Sequence, residues 1–370
     1  MRLKRLIAFS VIGLGAAFAS PGPVFSWDNH DQLIPWTERA LSPAAARLFS
    51  RLRAMPREAT SSTSERYLRI ADDLTLNPRF ALPAFPAVRG VEIFANEPDD
   101  GMDSDLPDSA DPRNLREFMG GKTGPTSQGF RHMYFSGWSP SHPLTTFQIP
   151  TYAIGEAPVR TQVLATYARS LLRSTGATAR EDHLWGLRVL LWAVHYVQDL
   201  AQPFHSVQIP SLRFVPWSAA LAWPPSRGFD RLIEETTRTM GNYHFAYEAQ
   251  AALEFSRGLY DACLKDAVAR STLRWDPAGH RSSPKDLALA VADSAIELAP
   301  RLAAAQLDYY GTSLMEPGVD VPDGKGAPDY RALAADPRRD SARRELEAVT
   351  CEGYANAVTA SKFLIEWALQ

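Results

Sequence analysis

Two cysteines in 370 residues, Cys263 and Cys351, are too few for a cysteine-ligated metal cluster, although they suffice for one disulfide if the fold brings them together. Positive charge is not in excess either: 39 lysines and arginines face 42 aspartates and glutamates, a formal net charge of −3. That balance disfavours capture of nucleic acid by a broad basic surface. Period-two alternation of apolar and polar residues is scarce, which argues against a strand-built fold. Beyond the N-terminus no uninterrupted apolar run reaches the ~20 residues that a bilayer span needs. No internal repeat marks a solenoid or a propeller.

The N-terminus is different in kind. The stretch "MRLKRLIAFSVIGLGAAFASPGPVFSW" sets Arg2, Lys4 and Arg5 before an apolar run that ends near Phe18, followed by small residues and prolines. This is the layout of a secretory signal peptide, expected over residues 1–26. Cleavage after Ala19 fits the small residues there, whereas cleavage after Ser26 leaves Trp27 as the first residue of the mature chain. Loss of Arg2, Lys4 and Arg5 takes the formal charge from −3 to −6 and sends both cysteines to an oxidising compartment, secreted or periplasmic.

What is present in quantity is helix-period hydrophobicity. Apolar residues recur at helical spacing over 159–172, 183–201, 231–258, 284–310 and 340–369, with Pro203 stopping the second run. The fold class expected is all-α, one multi-helix domain over 27–370 with its motifs in 27–255 and further helices in 256–370. Long irregular stretches connect the helices. Residues 77–156 carry an acidic run and a glycine-rich run, 206–229 are rich in proline and tryptophan, and 314–338 form a third connection. Loops of that length within a helical scaffold are candidates for function.

Histidine is also scarce, eight in all, and its placement is informative. In "HYVQDLAQPFH" His195 and Asp199 stand four apart on one helix face, so both side chains reach one point, and His205 follows just past the helix end. The next helix repeats the spacing in His244 and Glu248. Facing helices that each offer a histidine and a carboxylate inward can build a metal site from good zinc ligands. An isolated pair of this kind is more often a carboxylate orienting a core histidine. Here the repetition, and the apolar neighbours Leu191, Trp192 and Val194, set it apart.

The pattern H-x3-D-x5-H followed by H-x3-E resembles the zinc-dependent phospholipase C and single-strand-specific nuclease superfamily, which implies a secreted all-helical enzyme with a three-zinc cluster. The resemblance extends to Trp27 and His30 in "SWDNH", to His132 in "RHMYFSG", and to Asp99 after Pro98. It implies one site from Asp99, His132, His195 and Asp199, and a second from His205, His244 and Glu248. A third would use the amine and carbonyl of Trp27 with His30, and Asp199 would bridge the first and third. Five of the eight histidines are then ligands; His142, His183 and His280 read as surface or structural residues. The 33 residues between Asp99 and His132 are a departure, so Asp100, Asp103 and Asp105 stay open beside Asp99.

The chemistry implied is phosphodiester hydrolysis by a zinc-bound hydroxide, with Asp99 and Asp199 carrying the catalytic roles. Glu248 in the second site leans toward a phospholipase C acting on glycerophospholipid at a membrane surface. The alternatives are a single-strand-specific nuclease or 3'-nucleotidase, with nucleic acid as partner, and a non-catalytic zinc-binding protein. Phe130, Tyr134 and Trp138 could line a headgroup pocket, stack on a base, or simply pack the loop down. A monomer is expected.

Overall fold

Apolar faces at helical spacing leave the chain one stable solution, helix packed on helix. The computed structural model describes residues 30–55, 65–80, 90–103, 131–136, 153, 155–207, 211–221, 224–276 and 282–370, and among them helix dominates and no strand occurs. An isolated antiparallel bridge pairs Asp320 with Lys325. The long helices are α1 (His30–Ala40), α2 (Pro43–Arg53), α3 (Glu65–Leu74), α4 (Ala157–Leu172), α5 (Ala179–Leu200), α6 (Pro225–Ser256), α7 (Pro284–Tyr310) and α8 (Asp340–Leu369).

Helix α5 is the axis of the molecule. Every residue from Leu184 to Leu200 is buried, so it is enclosed on all sides rather than on one stripe. Helix α4 packs along it, with Gly186 allowing the approach: a Cβ there would lie 2.8 Å from the Leu172 side chain. Helices α7 and α8 pack together and close over α4 and α5, while α1 lies against α8. The helices after residue 256 thus belong to the same packed body as the motif helices. Helix ends follow local chemistry: Ser283 and Asp286 form a capping box at α7, and Ser42 caps α2 ahead of Pro43.

Two expectations change. The stretch 77–156 is not wholly irregular, because Val91–Asn96 form a 3-10 helix and Pro98–Met102 a single wide turn. Such turns have no apolar periodicity to betray them. The loop after residue 206 ends early, since α6 begins at Pro225, where the fixed φ of proline suits a first helical position. Cys263 and Cys351 form a disulfide linking the helical turn 261–264 to α8. Among the described residues no helix is long and apolar enough to cross a membrane. The signal segment 1–26 and Trp27 lie outside the described residues.

Candidate metal centre

Polar side chains on a fully enclosed helix must be satisfied inside the protein. Within the enclosed span Leu184–Leu200 of α5 the charged, imidazole and amide side chains are Arg188, His195, Gln198 and Asp199, each at most 1 % exposed. Arg188 is answered by Glu97, which also accepts from Trp192 Nε1 at 2.7 Å. The other three face a nest of histidines and carboxylates.

Asp199 is its centre. Oδ2 lies 2.8 Å from His132 Nδ1 and 3.1 Å from His195 Nε2, while Oδ1 lies 3.3 Å from His30 Nε2 and 3.6 Å from His205 Nδ1. The wide turn at Pro98–Met102 brings in Asp99, whose Oδ1 is 3.4 Å from His132 Nδ1 and 3.5 Å from His195 Nε2. Its Oδ2 is 3.9 Å from His30 Nε2. Asn77 holds that turn, donating from its backbone to Met102 O and from its side chain to Gly101 O. Gly101, at φ 105, adopts the left-handed conformation this bend requires. A second group lies beyond Asp199, where His244 Nε2 is 2.9 Å and His205 Nε2 3.7 Å from Glu248 Oε1.

The sequence-expected ligands thus come together wherever they are described. Asp99 joins the nest; Asp100 is exposed, and Asp105 lies outside the described residues. Asp103 is buried elsewhere in the network, held by Arg131 at 2.6 Å, by Arg160 at 3.1 Å and by the Tyr196 hydroxyl. One expectation is extended: Asp99 as well as Asp199 turns one oxygen toward the His132–His195 side and the other toward His30. Phe130, Trp138, His142 and His280 lie outside the described residues, whereas Tyr134 is half-buried against the core and its N–H donates to His205 O at 2.8 Å. His183 stands apart from the nest and bonds Ser174 O at 3.1 Å.

The sequence reading missed the partners that aim the ligands. His195 Nδ1 donates to Ala95 O at 2.7 Å, which leaves the Nε2 lone pair facing the nest. His30 Nδ1 lies 2.8 Å from Gln198 Oε1, and Gln198 Nε2 donates to Ser361 Oγ at 3.1 Å, so the amide orientation and the His30 tautomer agree. Gln202 Nε2 donates to Glu248 Oε1 at 3.1 Å. Position is the only sequence signal for the two glutamines: Gln198 directly precedes Asp199 on α5, and Gln202 follows it just past the helix end, in extended backbone.

At His195 and His244 electrostatics favour lone-pair donors. Burial lowers the pKa of His195 and takes that of His244 down to about 3, so both imidazoles are neutral near pH 7. Burial works to raise the Asp199 carboxyl, but the facing His195 and His132 outweigh it and hold it well below the usual carboxylate range. His30 shows the reverse balance: burial opposes its charge, yet the hydrogen bond and charge of Asp199 lift it to about 9.

A small divalent ion held tetrahedrally at about 2.1 Å needs donor atoms spaced by roughly 3.4 Å. Asp99 Oδ1, His132 Nδ1, His195 Nε2 and Asp199 Oδ2 have contacts of 2.8–3.5 Å, including 2.9 Å between the two histidine nitrogens. His205, His244 and Glu248 form a second group with the same ability, and His30 with Asp99 and His195 a third. His205 Nδ1 is buried without a hydrogen-bond partner among the described residues. The donor set fits metal ions. No family profile, curated protein or solved structure matches the chain.

Proposed function

We propose that the chain is a secreted zinc-dependent phosphodiester hydrolase, of the phospholipase C kind. The observation that carries this reading is the position of Asp199, one carboxylate with four histidines within 3.6 Å. Clustered donor groups sharing carboxylates suit several close metal ions, the arrangement used to clamp a phosphate. Trp27 would complete the third group through its amine, which needs cleavage after Ser26. When bound, zinc supplies Lewis acidity that makes water a nucleophile near neutral pH and balances the charge of a phosphate.

The chain's own residues divide the remaining work. Asp99 has a side chain 13 % exposed, against 0–3 % for the other described ligands of the nest, so it meets incoming solvent. Its carboxylate would orient the attacking water and accept its proton. Asp199 fixes the geometry of both flanks at once, and Gln198, Gln202 and the Ala95 carbonyl prevent the ligands from turning away. A phospholipid is preferred to a nucleic acid on the resemblance at Glu248 and on the acidic net charge.

The test uses zinc-loaded protein beginning at Trp27, given phosphatidylcholine vesicles and single-stranded DNA together, with products followed by mass spectrometry. Release of phosphocholine, abolished by a chelator and by Asp199→Asn, is the expected result. Nucleotide release would move the chain to the nuclease reading, and metal binding without either product would leave a non-catalytic zinc protein.

A further inference from the structure

Between His205 and His244 the chain leaves the core, and what it displays there has no use in the metal centre. Residues Trp217–Leu221 form a short 3-10 helix against α6. Ala219 faces inward at 8 % exposure, whereas Trp217 and Leu221 stand 57 % and 85 % exposed. They are the two most exposed large apolar side chains among the described residues. Isolated exposed apolar residues need no explanation, but two on one short element do.

This element is firmly mounted. Phe214, three residues before Trp217, is buried with its ring 4.5 Å from that of Tyr243. Phe204, next to His205, stacks 5.0 Å from His244, and all these aromatic residues except His244 belong to one core cluster. The segment that carries the exposed pair is therefore rooted, at Phe214, in the same core cluster whose Phe204 stacks on His244.

Charge follows the same outline. In a chain with 42 acidic residues there is none from Ala201 to Phe229, while Arg213 and Arg227 both lie in that stretch. Arg227 is exposed, and the Arg213 side chain is 61 % exposed with only a loose 3.7 Å approach to Asp308. A tryptophan, a leucine and flanking arginines in a stretch that itself holds no carboxylate match the headgroup layer of an anionic bilayer: indole at the interface, leucine among the acyl chains, guanidinium on phosphate. A groove-binding protein partner would instead need a broad, continuous apolar area.

We infer that residues 211–221, together with Arg227, are an anchor that docks the protein on an anionic phospholipid surface and presents the metal centre to it. The inference rests on the phospholipase reading for its purpose and on the exposed residues for its existence. The test is co-sedimentation of the zinc-loaded chain with vesicles of phosphatidylcholine and phosphatidylglycerol. The wild type should bind, and Trp217→Ala with Leu221→Ser should weaken partitioning about tenfold or more. Metal content, melting temperature and cleavage of a water-soluble phosphodiester should be unchanged, and Leu221→Phe should retain binding. Equal binding by wild type and double variant would overturn the inference. So would failure of the wild type to bind, with self-association that the double variant abolishes, which would mark a surface for a second copy. Vesicle binding lost in the double variant, without headgroup release from any lipid by the wild type, would keep the anchor and remove the phospholipase reading.

Discussion

Asp103 shows how a residue can matter to the centre without joining it. Its carboxylate is fully buried between Arg131 and Arg160, and Oδ2 lies 3.8 Å from His132 Nε2, on the far side of that ring from the nest. Burial alone would raise its pKa, but Arg160 and Arg131 outweigh it and keep the group ionised. Asp103→Asn leaves two buried guanidinium groups short of a counter-charge, and removing one partner of such a set costs roughly 3–5 kcal/mol. We expect that loss in urea unfolding of metal-stripped protein, where ligand binding cannot mask it. Gln198→Leu should instead spare the fold of α5 and free His30. Chelator competition should then show metal affinity about 10–100-fold weaker, with the melting temperature of the stripped protein little changed. Neither role was legible in the sequence, since Asp103 and His132 are distant in the chain and Gln198 reaches His30 across 168 residues. The histidines and carboxylates on α5 and α6 were legible because their partners stand four residues away.

At the scale of elements, the long helices announced themselves by period, and the run read at 284–310 coincides with α7. The turns that deliver Asp99 and His132 did not, because they are held by single side chains and by backbone. Gly155 is the clearest case: at φ 106, a Cβ would lie 2.1 Å from Met133 O, where the chain returns beside the His132 segment. Gly155→Ala should destabilise the protein by ~1–3 kcal/mol, read by thermal unfolding, through both the strained φ and the backbone clash. The start of α5 offers a pH test. Asp182 accepts from Ser174 Oγ at 2.5 Å and Thr178 Oγ1 at 3.0 Å and pairs with Arg66. Burial acts to raise its pKa, but those hydroxyls and the arginine lower it below the ordinary value. A carboxyl lowered on folding stabilises above its unfolded pKa of about 3.9 and loses that contribution as pH falls through the folded value. Asp182→Asn should therefore cost ~1–3 kcal/mol at pH 7, and the gap from wild type should close in acid.

Across the whole molecule, the disulfide separates scaffold from site. Sequence separation could not say whether Cys263 and Cys351 meet, because that depends on α8 crossing the body to the turn after α6. The bond closes a span of 88 residues, so in the chain-entropy account it stabilises by about 4.6 kcal/mol, an effect that persists only in an oxidising compartment. It ties α8, which packs on α1, α4, α5 and α7, yet neither cysteine approaches a metal donor. Changing both to serine should lower the melting temperature substantially while metal stoichiometry at 25 °C stays that of the wild type. A parallel loss of metal in folded protein, at temperatures below unfolding, would mean that the nest is held open or shut by the scaffold rather than by its own hydrogen bonds. The bonds from Ala95, Gln198 and Gln202 to the ligands argue for the second, because each is made within the body that surrounds α5 and none passes through the disulfide.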